Sequence, residues 1–170
     1  MNRRSGLTLT ELLVVILTSS VIAAIAFSVF SAGWRVYMTS QSLSLLGRNL
    51  RTAAERVSEE LRWATSLDFS SSPEGEGWVT IALEDGTVKR YRRTAGTRSG
   101  EQNLSDVSDV LVTDLAFELK TLPDDRVIMD ISLSGSSTSN SKIGECVSTS
   151  VVIFNVRDYS GSGSSINYRK

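Results

Sequence analysis

The 170-residue sequence predicts an α+β fold, one long N-terminal helix packed on a small antiparallel β-sheet. Three observations carry that expectation. Leu12 to Trp34 is a run of about 23 residues without a charge, which as a helix rising about 1.5 Å per residue can cross a bilayer core of about 30 Å. From Leu43 onward apolar residues recur at spacings of three and four, the period of a one-sided helix. Beyond Gly77 the period falls to two, the signature of strands.

Taken in order, the chain opens with Arg3 and Arg4, which have no acidic neighbour and favour a cytoplasmic N-terminus with the remainder outside. Secretory signal cores span only about 7–15 residues, so a cleaved signal is the weaker reading of the apolar run. Trp34, Arg35 and Tyr37 suit the outer membrane interface. Leu43, Leu46, Leu50, Ala53, Val57, Leu61 and Ala64 then form one apolar stripe, with Arg48, Arg51, Glu55, Arg56, Glu59 and Arg62 filling the other faces. Arg51 with Glu55 and Arg56 with Glu60 have the spacing of i,i+4 ion pairs. Gly47 is a local weakness. The helix is expected to run from Leu7 to about Leu67, roughly 60 residues and about 90 Å.

Ser70 to Gly77 is a break rich in Ser, Pro and Gly. Trp78 to Leu83 and Val88 to Arg93 flank Asp85-Gly86, which predicts a hairpin with a type I′ turn. Thr94 to Asp109 reads as a long loop. Val110 to Lys120 is a strand, followed by a turn at Leu122 to Asp125. Arg126 to Ser134 is another strand, with Val127, Met129, Ile131 and Leu133 on one face. Gly135 to Lys142 reads as a flexible loop, Thr149 to Tyr159 as the last strand, and residues 160–170 as a flexible tail. About five antiparallel strands over residues 78–159 would form the β-rich head, with the helical stripe as its cover.

Glu11 is the anomaly. A carboxylate entering hydrocarbon costs on the order of a few kcal/mol and is as a rule paired and functional. The following twenty or so residues hold no cation to pair with it. Its partner is therefore another molecule or the chain's own N-terminus. Gly6-Leu7-Thr8-Leu9-Thr10-Glu11, followed by Leu12, Leu13, Val14, Val15 and Ile16, resembles the class III signal of type IV pilins and pseudopilins. The resemblance implies a leader of residues 1–6, cut between Gly6 and Leu7 by a prepilin peptidase that also methylates the new amine of Leu7. It implies that residues 7–34 form the transmembrane or filament-core half of the helix and residues 35–67 its amphipathic half. Glu11 would neutralise the amine of a neighbouring subunit, a pair that is tolerable to bury where one charge alone is not. Leu12 to Ile16 would pack in the filament core. Leu7 stands where the family has phenylalanine, and Ser28 where many major pilins have proline.

Composition excludes several classes. The formal net charge of −1 creates no field that would attract nucleic acid. With no histidine, Ser-His-Asp and Cys-His sites are absent and the commonest metal ligand is missing. Cys146 is the sole cysteine, so an intramolecular disulfide is impossible. It reads as a packed or loop thiol, with an intermolecular bridge as the less favoured reading. No catalytic residue, metal or cofactor is expected.

Along the helix Phe30-Ser31, Tyr37, Gln41, Leu46, Arg51-Thr52-Ala53, Val57, Glu60-Leu61-Arg62 and Ala64 look like PilW-type minor pilins. Tyr91-Arg92-Arg93-Thr94 and Leu104 to Phe117 resemble them more weakly. That resemblance implies a minor prepilin of a type IV pilus, held in the inner membrane with its head outside and then assembled into or priming the filament. Its implied partners are the peptidase, other pilin or pseudopilin subunits, an inner-membrane assembly platform and a motor ATPase. A J-type pseudopilin of type II secretion is the alternative within the same mechanics. A signal-anchored binding domain is the alternative from another class. Lys89, Arg90, Arg92 and Arg93 around Tyr91 could touch DNA phosphates, but an edge strand guarded by charge is the plainer reading. Asp106, Asp109, Asp114, Asp124 and Asp125 lack the spacing of an EF-hand and read as turn carboxylates.

Overall fold

A computed structural model describes residues 8–70, 76–94, 97–105, 110–123, 126–138, 142–154, 156, 159 and 161–170. Gly6, Leu7 and the rest of the leader lie outside the described residues, as do Asp106, Asp109, Asp124 and Asp125. The chain divides into two units, the second beginning at Ser42.

The apolar run forms the start of helix α1, Leu9–Arg62, unbroken through Ser28. The charge-free part is apolar on all sides, and Leu12, Leu13, Val14, Val15 and Ile16 are each more than half exposed. Such a surface needs lipid or other helices around it. It is the one described helix long and apolar enough to cross a membrane. Thr18, Ser19, Ser20 and Ser31 each donate a hydroxyl hydrogen bond to a carbonyl one turn back, at 2.7–3.0 Å. Their polarity is thus satisfied within the helix, as hydrocarbon requires.

In the second unit α1 buries Leu46, Leu50, Ala53, Ala54, Val57, Ser58 and Leu61. Leu43, assigned to this stripe from its spacing, is 39% exposed. The helix stops at Arg62, earlier than expected, and Ser66–Asp68 is strand β1. Leu67 continues the apolar spacing of the helix, but it is buried by pairing with a strand rather than by another helical turn.

Two sheets replace the single one expected. The first has the order β1-β9-β2-β3-β4, with β2 at Trp78–Glu84, β3 at Thr87–Thr94, β4 at Thr97–Asn103 and β9 at Ser165–Arg169. The second has the order β7-β6-β5-β8, with β5 at Val110–Thr121, β6 at Val127–Ser137, β7 at Gly144–Ile153 and β8 at Ser162–Gly163. All pairings are antiparallel. One core joins the stripe of α1 to the inner faces of both sheets, through residues such as Ile81, Leu115, Phe117, Met129, Ile131 and Ile166. The α+β layout is borne out.

The β2–β3 hairpin is as read. Asp85 and Gly86 have φ of 52° and 72°, the two left-handed residues of a type I′ turn. A Cβ at Gly86 would also overlap the Leu111 side chain. Gly86→Ala is therefore expected to cost about 1–3 kcal/mol, read as a lowered urea midpoint. A midpoint equal to the parent's would show that the turn relaxes without loss.

Several segments depart from expectation. The supposed loop at 94–109 contains β4, an edge strand exposed at every residue, so it carries no apolar period. Gly135, assigned to a loop, lies inside β6, where its missing side chain admits Leu50 of α1. The strand placed at Thr149 to Tyr159 is β7, which begins and ends earlier and is not the last. The supposed flexible tail holds β8 and β9, and β9 lies between β1 and β2 with Ile166 and Tyr168 fully buried. Cys146 is neither packed nor in a loop, since it is exposed on β7.

Candidate functional site

The N-terminal end of α1 has a local chemistry that charge alone did not reveal. Glu11 accepts hydrogen bonds from the Thr8 backbone N–H at 3.2 Å and the Thr8 hydroxyl at 3.1 Å. In return the Glu11 N–H donates to Thr8 Oγ1 at 3.3 Å. Thr8-Leu9-Thr10-Glu11 is thus a capping box, in which two backbone donors at a helix start are satisfied reciprocally. The carboxylate also sits at the positive end of the helix dipole. Charge alone points to another molecule or the terminal amine as the partner of Glu11. The T-x-x-E spacing was the signal for Thr8. Three turns before the end of this unit, Phe30, Trp34 and Tyr37 form a ladder, with ring centroids 6.3 Å and 6.0 Å apart.

In the head, Glu60 is the polar anchor. Its Oε2 accepts from the Tyr168 hydroxyl at 2.6 Å and from Lys170 Nζ at 2.8 Å, and stands 3.5 Å from Arg90 Nε. Arg90 Nε donates to Tyr168 Oη at 3.1 Å. The network ties α1 to β3 and to β9. Arg56, expected to pair with Glu60, instead donates to the Leu104 carbonyl at 3.1 Å. Burial pushes the Glu60 carboxyl up, but the hydrogen bonds from Lys170 and Tyr168 and the Arg90 charge outweigh it, leaving Glu60 below the usual carboxylate range. Burial and the hydrogen bond to Glu60 push the Tyr168 hydroxyl far up, so it is neutral at any working pH.

The sign of the pH effect follows. A depressed carboxylate contributes stability above its unfolded value of 4.5 and loses it as pH falls through the folded value. The head should therefore weaken on acidification below about pH 4.5. Asp130 contributes at lower pH, below its ordinary value of 3.8, held low by hydrogen bonds from Lys120 and Ser150. Glu60→Gln should flatten part of the acid slope, as measured by urea midpoints across that range. An unchanged slope would remove Glu60 from the account.

The basic run does not form one patch. Successive residues of a strand face opposite sides, so Lys89 and Arg93 lie on one face of β3 and Arg90 and Arg92 on the other. Nor is β3 an edge strand, because β2 and β4 flank it. Lys89 Nζ is 2.9 Å from Glu101 and 3.7 Å from Asp85. Arg98 stacks at 4.4 Å over the Tyr91 ring while its Nη1 meets Glu84 at 2.8 Å. Asp114 is exposed on β5, and among the described residues no acidic, histidine or cysteine cluster could hold a metal.

No protein-family model and no curated protein matches the sequence. Two solved structures are similar. One is the PilB minor pilin from Streptococcus sanguinis, with a TM-score of 0.54 and 19% identity. The other is a point mutant of the PilB minor pilin from the same organism, with a TM-score of 0.56 and 19% identity. Each match covers 74% of this chain and 34% of the solved one, so this chain spans about a third of their length. The likeness is one of fold. A long N-terminal helix, apolar in its first half, packed on antiparallel sheets is a type IV pilin-like fold.

Proposed function

We propose that this chain is a minor pilin, anchored in the inner membrane by the first half of α1 and then assembled into, or priming, a type IV pilus. One observation carries the reading. An uncovered apolar helix holding a single carboxylate at its start, Glu11, is joined to a head of pilin-like fold. A lone signal anchor gains only a helix cap from that carboxylate, whereas a filament of packed helices can also pair it with an amine. In this reading a prepilin peptidase cuts between Gly6 and Leu7, and Leu7 carries the amine. Glu11 neutralises the amine of the next subunit, and Leu12, Leu13, Val14, Val15 and Ile16 form the packed core around the pair. The partners are other pilin subunits, the peptidase, an assembly platform and its motor. The chain is a structural component without a reaction of its own. The same mechanics would serve a type II secretion pseudopilus, and gene neighbourhood separates the two machines.

Mass spectrometry of the mature N-terminus, from native membranes with and without the peptidase, tests the reading. The expected result is a peptide beginning at N-methylated Leu7 that disappears when the peptidase is absent. A chain that still begins at Met1 in the presence of the peptidase, or one cut beyond Phe30, would overturn it.

A further inference from the structure

Among the described residues the two sheets present four outer edges. β1 is three residues long and β8 two, too short to template another strand. β4 carries Arg98 and Glu101, and its register with β3 shifts between Arg90 and Arg92. Charge, shortness and irregular register are the usual protections of an edge. β7 is neither short nor irregular, and it carries a single charge near one end. It runs for ten residues in unbroken register with β6, from Val127↔Ile153 to Ser136↔Gly144, without lysine, arginine or proline. Its one charge is Glu145, and a Cβ at Gly47 of α1 would meet that carboxylate at 2.6 Å.

The open edge borders a groove. A hollow of about 550 Å³ lies between Thr149–Val152 of β7 and the flank of α1 that presents Glu55, Ser58, Glu59 and Arg62, with Phe154 at its rim. Phe154 is 68% exposed. Among the described residues no ion pair engages Glu55 or Glu59. A helix flank facing a free strand edge is the geometry in which proteins capture extended peptides. Main-chain hydrogen bonds give the affinity, and alternate side chains give the selectivity.

We propose that this groove is a docking site for an extended segment of a partner protein, added as a further strand to β7, with a basic side chain set between Glu55 and Glu59. The chemistry selects the occupant. The backbone groups of Thr149–Val152 that face away from β6 have no strand beside them among the described residues and are open to another main chain, and the two carboxylates call for a cation. A second copy of β7 fits poorly because that strand carries no lysine or arginine to bring to them. The proposal is independent of the filament role, since the groove lies wholly within the head.

Cys146, the sole thiol and exposed on β7, supplies the probe. The full chain in non-ionic detergent is labelled there with an environment-sensitive dye. It is titrated with the capped peptide Val-Thr-Val-Arg-Val-Thr-Val, with the same peptide bearing glutamate for arginine, and with one bearing proline for both the valine and the threonine after arginine, so that a ladder N–H is lost in either register. The arginine peptide should give a saturable dye response and slow amide exchange across Thr149–Val152. The glutamate peptide should bind at least ~10-fold more weakly, because it sets like charge against the groove. The proline peptide should not bind, because it lacks a ladder N–H. Glu55→Gln with Glu59→Gln should weaken the arginine peptide by ~5-fold at an unchanged melting temperature, as expected for two solvent-exposed ion pairs. No response to the arginine peptide up to about 1 mM overturns the proposal. So does equal binding of the proline peptide, which removes strand addition, or of the glutamate peptide, which removes the charge assignment.

Discussion

Tyr168→Ala is expected to destabilise the head by about 4 kcal/mol, the cost of deleting a buried aromatic ring. Tyr168 is fully buried in β9, which pairs with β1 on one side and β2 on the other. Its ring lies in the core shared with α1, and its hydroxyl joins Glu60 to Arg90. The substitution opens a cavity beneath an interior strand and takes away the shortest hydrogen bond to Glu60. A domain of this kind has about 5–15 kcal/mol in all, so the variant should stand near the limit of folding. With a urea slope of about 2 kcal/mol/M, the midpoint should fall by about 2 M. Near-UV circular dichroism of the full chain in detergent would follow the head over a background from Trp34 and Tyr37, while the far-UV signal also carries the apolar part of α1. A midpoint matching the parent's would mean that β9 is dispensable and that the head is held by β2, β3 and the second sheet alone.

Tyr168→Phe separates the two parts of that loss. The ring stays and the hydroxyl goes, so about 1–2 kcal/mol should be lost. Glu60 keeps Lys170 and the Arg90 charge, which limits the damage. If Phe costs as much as Ala, the polar tie between α1, β3 and β9 outweighs the packing, and the acid sensitivity of the head should fall in part, since Lys170 and Arg90 still hold Glu60 low and Asp130 is untouched.

The two kinds of residue in this tie differ in how far the sequence disclosed them. α1, the β2–β3 hairpin and β6 were legible because each has one buried face or a turn that only certain residues make. Met129, Ile131 and Leu133 alternate with polar residues, and Asp85-Gly86 can hardly be anything but a tight turn. β9 was hidden by its surroundings. The Gly-Ser-Gly-Ser-Ser run before it has the composition of a linker, and Ile166 and Tyr168 are too short an alternation to outweigh that. Its partner β1 lies about a hundred residues earlier, beyond the reach of any local pattern. β4 was hidden for the opposite reason, since an edge strand wet on both faces has no period to read. At the N-terminus Glu11 stood out by its charge, which drew the reading toward a distant partner. The nearer one, Thr8, was encoded in the spacing three residues before it.

That nearer partner sharpens the prediction for Glu11, which rests on the proposed filament role. Glu11→Ala is expected to leave insertion of the helix in the membrane intact and to reduce recovery in sheared filaments by at least ~100-fold, as for a buried charge left without its partner. Insertion depends on the apolar run, and removing a carboxylate from its edge only lowers the cost of entry. The capping box is also lost, but that costs about 1 kcal/mol at one end of a helix 54 residues long. Glu11→Gln distinguishes the two roles. Its amide oxygen can still accept from Thr8, so the cap survives, yet it carries no charge to neutralise an amine. If capping were the whole function, the glutamine variant would assemble like the parent. If the carboxylate leaves Thr8 for the amine of the next subunit, glutamine and alanine should fail alike. Immunoblots of membrane and filament fractions read both outcomes from one culture. Equal filament recovery for all three proteins would leave Glu11 as a helix cap and nothing more.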